Sequence, residues 1–245
     1  MLSIKNLKKY FGGVKAVNRV SFEIEPSKIT ALIGPNGSGK STVFNLISGV
    51  YTQDDGKIYL DKQNITNNSI EQRSNLGISR IFQHSRLFNN LTVKDNLMLA
   101  VDNYDTKFWK NLIFSNKITS DQHDNIKSML KLVNMQNYGN KLARNLSYGQ
   151  KRLIEIIRAV IKPHKILLFD EPVAGVTPSL RKDIAKLLVD LKQKGETIFI
   201  IEHDMNFILS IADNVIVMDE GKVIAQDKPS EIINNPKVLE VYLGD

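Results

Sequence analysis

A glycine-rich segment ending in lysine, serine and threonine offers the clearest chemistry in the sequence. Residues 34–42 read Gly-Pro-Asn-Gly-Ser-Gly-Lys-Ser-Thr and match the pattern GxxxxGK[ST] in full. The glycines allow the backbone to curl so that successive N–H groups point towards one anion, and a following helix adds partial positive charge. Lys40 can then reach the β- and γ-phosphates of a nucleotide, while the Ser41 hydroxyl can bind Mg²⁺. The segment therefore predicts a site for a nucleotide with its magnesium ion.

Two acidic residues follow a second apolar run. Ile166–Phe169 has the composition of a buried strand, and Asp170 and Glu171 come directly after it. Because ligands bind at the carboxyl ends of the strands in a doubly wound sheet, we expect both acids to lie near residues 34–42. Asp170 would hold Mg²⁺ directly or through water, and Glu171 would accept a proton from the attacking water or orient it.

Short apolar runs alternate with helical patterns along the chain, which predicts an α/β fold. The predicted strands are Ile29–Ile33, Ile58–Leu60, Ile166–Phe169, Thr197–Ile201 and Asn214–Met218. The predicted helices are Ser41–Val50, Thr92–Ala100, Gln122–Val133, Arg152–Ile161, Pro178–Lys194 and Met205–Ala212. The section from about Leu91 to Asn145 shows no strand pattern, so we expect a helical lobe inserted into an α/β core.

Composition and charge limit the class of protein. The chain has 245 residues, of which 42% are hydrophobic and 24% charged, as is usual for a globular protein with a large core. Its longest stretch without Asp, Glu, Lys or Arg covers only residues 41–53, which is too short to span a bilayer. The absence of cysteine excludes disulfides, thiolate zinc sites and cysteine nucleophiles. Because the N-terminus has no apolar leader, we expect a soluble intracellular protein.

The net charge of +7 does not by itself identify a partner. A basic N-terminal half could serve phosphate-bearing ligands or an anionic membrane surface, but a general bias towards Lys, Asn and Ile explains it as well. No run of five or six basic residues marks an arm for binding nucleic acid, so we expect no nucleic-acid partner.

Four further segments occur in an order that resembles the ATP-binding subunits of ABC transporters. Asn145–Gln150 is similar to the family signature LSGGQ, and Phe82–Gln83 resembles the Q-loop. Pro172–Pro178 corresponds to the D-loop, and Ile201–Asp204 resembles the segment of the switch histidine. The resemblance covers nearly the whole chain, and the order and spacing of the segments fit the family.

The resemblance implies a fold and a division of the chain. The expected fold is α/β, a P-loop NTPase (RecA-like) core with an inserted α-helical lobe and an N-terminal antiparallel β region. Residues 1–245 would form a single ABC ATPase domain, in which 1–90 and 153–245 make the nucleotide-binding core. Residues 91–152 would form the helical lobe that carries the signature, and the implied cofactors are ATP and Mg²⁺.

The resemblance also assigns roles to individual residues. Glu171 would be the general base, His203 would hold the γ-phosphate, and Gln83 would sense Mg²⁺ and the water. In a head-to-tail dimer, Ser147 and Gly149 of one subunit would face the γ-phosphate bound to the other. The implied nucleotide-binding residues are Phe11, Gly34, Pro35, Asn36, Gly37, Ser38, Gly39, Lys40, Ser41, Thr42, Ser147, Gly149 and Gln150, and the implied metal-binding residues are Ser41, Gln83 and Asp170.

Some positions depart from the family pattern or leave two interpretations open. Phe11 is expected to stack on adenine, with the neighbouring Tyr10 as the other candidate. Tyr148 departs from the commonest form of the signature, and Thr177 stands where an Asn or Asp is usual in the D-loop. The aromatic residues of Tyr104–Ile118 are expected in the core of the helical lobe, or alternatively against a membrane partner.

Finer features resemble ATP-binding subunits of branched-chain amino-acid transporters, with the lipopolysaccharide-export ATPase as a close relative. They include the run Gly77–Leu97 and the ending Val241–Gly244. The resemblance implies several partners: a second ABC ATPase subunit, identical or different, integral-membrane permease subunits and, through the permease, an extracytoplasmic substrate-binding protein. The chain would then act at the cytoplasmic face of the cell membrane as a peripheral subunit.

Other ATPases of the same family remain alternatives. A soluble ABC ATPase of iron–sulphur cluster assembly would share the nucleotide motifs, although Gly149-Gln150 and the surroundings of Gln83 favour a transporter. A chromosome-maintenance ATPase would need a long coiled coil between Lys40 and Ser147, and no sustained heptads occur there.

Overall fold

The computed structural model describes residues 2–81, 87–101 and 120–243. The strands are β1 (Leu2–Phe11), β2 (Val14–Ile24), β3 (Ile29–Ile33), β4 (Asp55–Leu60), β5 (Gln63–Asn64), β6 (Ile78–Ile81), β7 (Ile166–Asp170), β8 (Ile198–Ile201), β9 (Asn214–Asp219) and β10 (Lys222–Asp227). The helices are α1 (Lys40–Ile47), α2 (Ile70–Asn75), α3 (Val93–Val101), α4 (Ser120–Leu132), α5 (Tyr148–Ile161), α6 (Pro178–Gln193), α7 (Met205–Ile211), α8 (Pro229–Ile232) and α9 (Pro236–Leu243). The segment Tyr104–Ile118 lies outside the described residues.

The strands form two sheets. An antiparallel sheet has the order β2-β1-β4-β5, and a six-stranded sheet has the order β10-β9-β3-β8-β7-β6. In the larger sheet the five strands from β9 to β6 are parallel to one another, and β10 pairs antiparallel with β9. This arrangement confirms the predicted fold class, including the antiparallel region at the N-terminus.

The larger sheet is covered on both faces, which explains its continuous apolar strands. All residues of β3 and β8 are buried, as are the first four of β7. Alternate side chains point to opposite sides: Ile29, Ala31 and Ile33 pack against the side where most of the helices lie, while Leu32 packs with α1 and the antiparallel sheet. Burial on two faces fixes the register of the central strands.

The register of the central strands brings their carboxyl ends to one edge. Ile29 of β3 lies opposite Ile198 of β8, and Leu167 of β7 lies opposite the same residue. The chain therefore leaves β3, β7 and β8 at nearly the same height. Residues 34–42, Glu171 and His203 follow these three strands, so the chain brings most of the predicted site residues to this edge.

Helix α5 begins four residues earlier than its apolar pattern predicts. The apolar spacing starts at Arg152, but Ser147 caps the helix and moves its start to Tyr148. The Ser147 hydroxyl accepts a hydrogen bond from the Gln150 N–H at 3.2 Å, and the Gln150 side chain accepts one from the Ser147 N–H at 3.0 Å. Because α5 continues to Ile161, the boundary predicted at residue 152 falls inside a helix, and the division into core and lobe stays a prediction.

Helix α1 is shorter than predicted and is held at its carboxyl end by a buried arginine. It ends at Ile47, because Gly49 has a positive φ of 80° and turns the chain. The Arg73 guanidinium donates hydrogen bonds to the carbonyls of Leu46, Ile47, Thr66 and Asn68. Burial lowers the pKa of Arg73 to about 10. A cation at the last carbonyls of a helix stabilises it, so Arg73 holds the far end of the helix that begins with Lys40.

The helices are those of a globular core. The longest in the described part of the chain, α6, has 16 residues and carries charges along one side. Across the described ranges, none of the helices combines the length and the apolar character needed to cross a bilayer.

A buried histidine links two loops at the opposite edge of the larger sheet. His164 precedes β7, and its Nε2 lies 2.6 Å from Oε2 of Glu196, which precedes β8. Its Nδ1 lies 2.7 Å from the carbonyl oxygen of Lys162. Burial lowers the pKa of His164, but the hydrogen bonds to Glu196 and Lys162 and the charge of Glu196 outweigh burial, so the net pKa is raised. Two acceptors around one ring favour the doubly protonated imidazolium.

Replacing His164 should therefore change the pH dependence of stability. Because the folded pKa lies above the unfolded value, the histidine's contribution is fully present below that unfolded value and is lost as pH rises through the folded pKa. The free energy of unfolding of the wild type minus that of His164→Gln should shrink with rising pH, by at most about 1.4 kcal/mol per pH unit. Urea unfolding at a series of pH values measures it. A pH-independent difference would contradict the assignment, and Glu196→Gln, which removes the charge beside the ring, should weaken the same pH dependence.

Candidate functional site

The loop between β3 and α1 is built around three glycines with positive φ angles, and at two of them a side chain would collide with the backbone of a neighbouring strand. Gly34, Gly37 and Gly39 all have positive φ angles, of 147°, 83° and 101°. A Cβ on Gly39 would lie 2.2 Å from the carbonyl oxygen of Ala16 in β2, and one on Gly34 would lie 2.0 Å from that of Met218 in β9. The loop is therefore pressed between two strands of different sheets, and its curled backbone follows from that confinement.

Lys40 begins α1 and turns its ammonium group back over the loop. Its Nζ donates to the carbonyls of Gly34 and Pro35, each at 2.8 Å, and to the Ser38 hydroxyl at 3.3 Å. Burial lowers the pKa of Lys40, and the negative charge of Glu171 partly opposes this. A mostly buried cation surrounded by loop carbonyls and a helix N-terminus provides the charge that a phosphate group requires.

The residues on either side of Lys40 differ in exposure. Asn36, Gly37 and Ser41 are exposed, Thr42 is half-buried, and Ser38 is buried. The Ser38 N–H donates to the Pro35 carbonyl at 3.2 Å, which closes the turn. The exposed Ser41 hydroxyl lies in the first turn of α1, where a ligand at the helix N-terminus can reach it.

Asp170 ends β7 and forms a largely buried ion pair. Its Oδ2 accepts a hydrogen bond from Nη2 of Arg80 at 2.8 Å, and the two side chains are 15% and 8% exposed. Arg80 lies on the neighbouring strand β6, which the sequence patterns did not predict. Asp170 is thus fixed at the strand end where it was expected.

Glu171 adopts a backbone conformation that is unusual for its residue type. Its φ is +48°, in the left-handed region, and its N–H donates to the carbonyl of Ile201 in β8 at 3.0 Å. Such strain persists only where the surroundings hold it, and it concentrates at functional sites. The side chain is 30% exposed, and Oε1 lies 3.9 Å from Nδ1 of His203, which is 65% exposed. The structure therefore brings together Glu171 and His203, which lie 32 positions apart.

A fully buried carboxylate holds the segments that carry these two residues. Glu202, which follows β8, is 0% exposed. Its Oε1 accepts the N–H of Val173 at 3.0 Å, and its Oε2 accepts the N–H of His203 at 3.2 Å. Burial raises the pKa of Glu202, while these two hydrogen bonds oppose the shift. The sequence analysis missed Glu202, although its signal was an acid directly after a fully apolar strand.

Arg152, on α5, holds the backbone that follows β7 and was also missed. Its Nε donates to the carbonyl of Pro172 at 3.0 Å. Its Nη2 donates to the carbonyls of Glu171 at 3.0 Å and Asp170 at 3.3 Å. Three consecutive carbonyls thus face one buried guanidinium, and the acidic pair cannot shift without breaking these bonds.

The signature residues lie at a different surface from the glycine-rich loop. Ser147–Gln150 line a groove of about 490 Å³ together with Gly175–Thr177 and Leu180, and among the described residues none of 34–42 lines it. A Cβ on Gly149 would lie 2.4 Å from Cδ2 of Leu180, so this glycine lets α5 approach α6 closely. The structure of one chain therefore does not bring Ser147 and Gly149 to the glycine-rich loop.

The two candidate aromatic residues at the end of β1 face different surroundings. Phe11 is 44% exposed and makes an edge-to-face contact with Tyr51, with ring centroids 5.4 Å apart. Tyr10 donates from its hydroxyl to Oδ1 of Asn18 at 3.2 Å. Lys9 Nζ lies 5.5 Å from the centroid of the Phe11 ring, and Tyr10 is 36% exposed, so both rings remain candidates for contact with a base. Gln83, the remaining predicted residue, lies outside the described residues.

The donor atoms at the site suit a hard cation. Ser41 and Asp170 offer a hydroxyl and a carboxylate, the oxygen ligands that Mg²⁺ prefers. Within the described ranges no group of three or more His, Cys, Asp or Glu side chains could form a complete metal site. Mg²⁺ fits this pattern, because it is commonly held by one or two protein oxygens together with phosphates and water.

Comparison with protein families gives two matches. The family described as "ABC transporter" matches residues 17–174, and that described as "Branched-chain amino acid ATP-binding cassette transporter" matches residues 222–245. The chain is 39% identical to a probable branched-chain amino acid transport ATP-binding protein, LivG, of Archaeoglobus fulgidus. That alignment covers 100% of this chain and 95% of the relative.

Solved structures show the same similarity. An ATP-binding cassette of an ABC transporter in its ADP conformation has a TM-score of 0.87 and 34% identity, covering 100% of this chain and 99% of its own. A dimeric cassette in a post-hydrolysis state, bound to ADP and Pi, has a TM-score of 0.76 and 25% identity, covering 94% and 99%.

Two alanine substitutions in the glycine-rich loop should differ in their effect on stability. Gly39→Ala combines a positive φ with a collision against the β2 backbone, so we expect it to lower the free energy of unfolding by more than about 2 kcal/mol. Gly37→Ala is the matched control: it has a similar φ but open space around its Cβ, and we expect a loss of about 1 kcal/mol. Urea unfolding measures both. Equal losses would show that the loop is not confined as described.

Proposed function

The chain belongs to the ABC transporter family of ATP-binding cassettes, and on that premise we propose that it hydrolyses Mg-ATP to drive branched-chain amino-acid-type uptake through separate membrane subunits. The observation that carries the proposal is the juxtaposition, at one edge of the larger sheet, of the phosphate loop, Asp170 and the Glu171–His203 pair. The relatives' names support this type of transport over lipopolysaccharide export or iron–sulphur cluster assembly.

The phosphate groups of ATP would bind in the curl of residues 34–42. Backbone N–H groups of the loop and the N-terminus of α1 supply partial positive charge, and Lys40 supplies a full one. Lys40 would exchange its loop carbonyl partners for phosphate oxygens, a small movement because Nζ already lies within the curl. Phe11, at the end of β1, would stack on the adenine ring.

Ser41 and Asp170 would hold Mg²⁺, with Gln83 as a further ligand suggested by its place in the sequence. An ion held by these residues would supply positive charge against the phosphate oxygens. The ion pair between Asp170 and Arg80 fixes the carboxylate relative to α1, so the hydroxyl and the carboxylate come from elements that are tied together.

Glu171 would orient the attacking water and accept its proton. A carboxylate that is 30% exposed can contact water, while its strained backbone and the Arg152 contacts fix its position. His203, whose backbone N–H is held by Glu202, would hold the γ-phosphate beside it. Both side chains project from rigid segments after buried strands, which favours a fixed geometry in the transition state.

The signature residues support a head-to-tail dimer as the hydrolytic unit. In one chain Ser147 and Gly149 line a different surface from the phosphate loop, so they can contact a nucleotide only from a second subunit. The N-terminus of α5, capped by Ser147, would face the γ-phosphate bound to that subunit. The similar cassette that was solved as a dimer with ADP and Pi supports a dimer for this chain.

The same proposal places the chain at the cytoplasmic face of the cell membrane as a peripheral subunit. Closing of the dimer on ATP and its release after hydrolysis would move the attached permease subunits between two states. An extracytoplasmic binding protein would deliver the substrate to the permease.

Replacing Glu171 with glutamine should separate hydrolysis from binding. The amide cannot accept a proton, so we expect Glu171→Gln to lower kcat by about 10²- to 10⁴-fold while ATP affinity stays within about twofold. Steady-state phosphate release and binding of a fluorescent ATP analogue measure the two effects. The exposed Glu240→Gln is the control, and hydrolysis close to wild type in Glu171→Gln would reject Glu171 as the base.

The mass of the same variant in solution tests the dimer. With Mg-ATP, a homodimer of Glu171→Gln would show that two copies of this chain complete both sites, and would favour the arrangement of the lipopolysaccharide-export type. A monomer that binds ATP would favour a different ATPase subunit as its partner, as in branched-chain amino-acid uptake, or a dimer that needs its permease.

Unlike Glu171→Gln, replacing Lys40 with alanine should weaken the binding of ATP itself. The substitution removes a charge-assisted hydrogen bond to phosphate, so we expect ATP affinity to fall about 10- to 100-fold. Titration with the fluorescent analogue measures it, and circular dichroism checks the fold. Lys186→Ala, an exposed position on α6, is the matched control. Unchanged affinity in Lys40→Ala would remove the phosphate loop from the proposal.

A further inference from the structure

Arg80 is a buried cation that joins three elements of the site. From β6, its Nη2 donates to Oδ2 of Asp170 on β7 at 2.8 Å. Its Nη1 donates to Oδ1 of Asn45 at 2.7 Å and to the Ser48 hydroxyl at 2.8 Å, and both of these residues follow the phosphate loop on the α1 side. The guanidinium therefore bridges the strand that carries Asp170 and the helix that begins with Lys40.

The contacts on the α1 side hold Arg80 independently of Asp170. The Ser48 hydroxyl is itself fixed, because it donates to the carbonyl of Phe44 at 2.8 Å. The Phe44 ring lies against the guanidinium, with 5.9 Å from Cζ to the ring centroid. A guanidinium with two anchors and an aromatic neighbour has little freedom to follow a moving carboxylate.

The pairing with Asp170 uses one donor and one acceptor. Arg80 directs only Nη2 at the carboxylate, because Nη1 is engaged by α1, and in the described part of the chain no other side chain donates to Asp170. One oxygen is thus fixed and the orientation of the carboxylate is set, while Oδ1 keeps its ability to bind a cation. The opposing effect is repulsion between Arg80 and a metal ion, which would weaken metal binding.

We propose that Arg80 is a positioning residue for Mg²⁺, which holds Asp170 by Oδ2 against α1 and so presents the carboxylate together with the Ser41 hydroxyl. The inference rests on the proposed Mg-ATP function. It assigns to Arg80 a net gain in metal affinity: partners that orient a metal ligand typically contribute 10- to 100-fold, and the anchoring on α1 sets the orientation before the ion arrives.

The test is the gain in nucleotide affinity that Mg²⁺ provides, measured without turnover. The dissociation constant of a fluorescent ADP analogue is determined in EDTA and in excess Mg²⁺, and their ratio gives the gain. In Arg80→Gln we expect this ratio to fall about 10-fold, with the EDTA value within about twofold of wild type. In Arg80→Lys a single ammonium group replaces the forked guanidinium, so its Mg²⁺ gain should lie between those of the wild type and Arg80→Gln.

A double variant separates positioning from charge. Asn45→Ala with Ser48→Ala removes the anchors on α1 and leaves Arg80 and Asp170 in place. If Arg80 positions the carboxylate, this variant should also lose part of the Mg²⁺ gain. If the double variant keeps the full Mg²⁺ gain, positioning through α1 is rejected. This measurement can be made even if Arg80→Gln does not fold.

Comparison with Asp170→Asn separates the role of Arg80 from the proposed binding of Mg²⁺ at Asp170. An unchanged or increased Mg²⁺ gain in folded Arg80→Gln, together with a reduced gain in Asp170→Asn, would overturn the role of Arg80 alone. An unchanged gain in Asp170→Asn would overturn the placement of Mg²⁺ at Asp170, and the inference with it.

Discussion

The site depends on the parallel register of three buried strands. Ile198 of β8 lies opposite both Ile29 of β3 and Leu167 of β7, so the three strands end at one edge. A shift of one residue in the strand register would move each side chain to the opposite face of the sheet. Because both faces are buried and packed, such a shift is strongly disfavoured. The phosphate loop, the acidic pair and the histidine segment occupy that edge because the strands before them cannot shift.

The register of the strands does not by itself fix the segments that follow β7 and β8. Buried polar side chains hold these segments in place. Glu202 accepts two backbone N–H groups, and Arg152 donates to three backbone carbonyls. Such groups lose hydration on burial, so they are tolerated only where hydrogen bonds replace the water. Removing one partner would leave a buried charge uncompensated, which makes these bonds specific as well as stabilising. The strained backbone of Glu171 is maintained by this network.

The sequence was sufficient where the signal was local. The glycine-rich loop between β3 and α1, the strand before Asp170 and the family could be predicted from consecutive residues, and the comparisons confirm the ABC ATPase cassette and its ATP binding. Arg80, Arg152 and Glu202 were missed because each acquires its role from partners distant in the chain. The earlier start of α5 follows from the capping pattern of Ser147 and Gln150, which apolar periodicity alone does not reveal.

The same contacts connect the signature helix to the acidic pair. At its start α5 approaches α6 through Gly149, and the Tyr148 hydroxyl reaches the carbonyl of Ala174 at 3.4 Å. One turn later Arg152 holds the carbonyls of Asp170 and Glu171. A displacement of α5 would therefore strain the backbone of Glu171 in the same chain, because three hydrogen bonds from the buried Arg152 tie α5 to residues 170–172. In the proposed dimer, a nucleotide that contacts the N-terminus of α5 from a second subunit would thus act on Glu171, the proposed general base of this one, through short contacts.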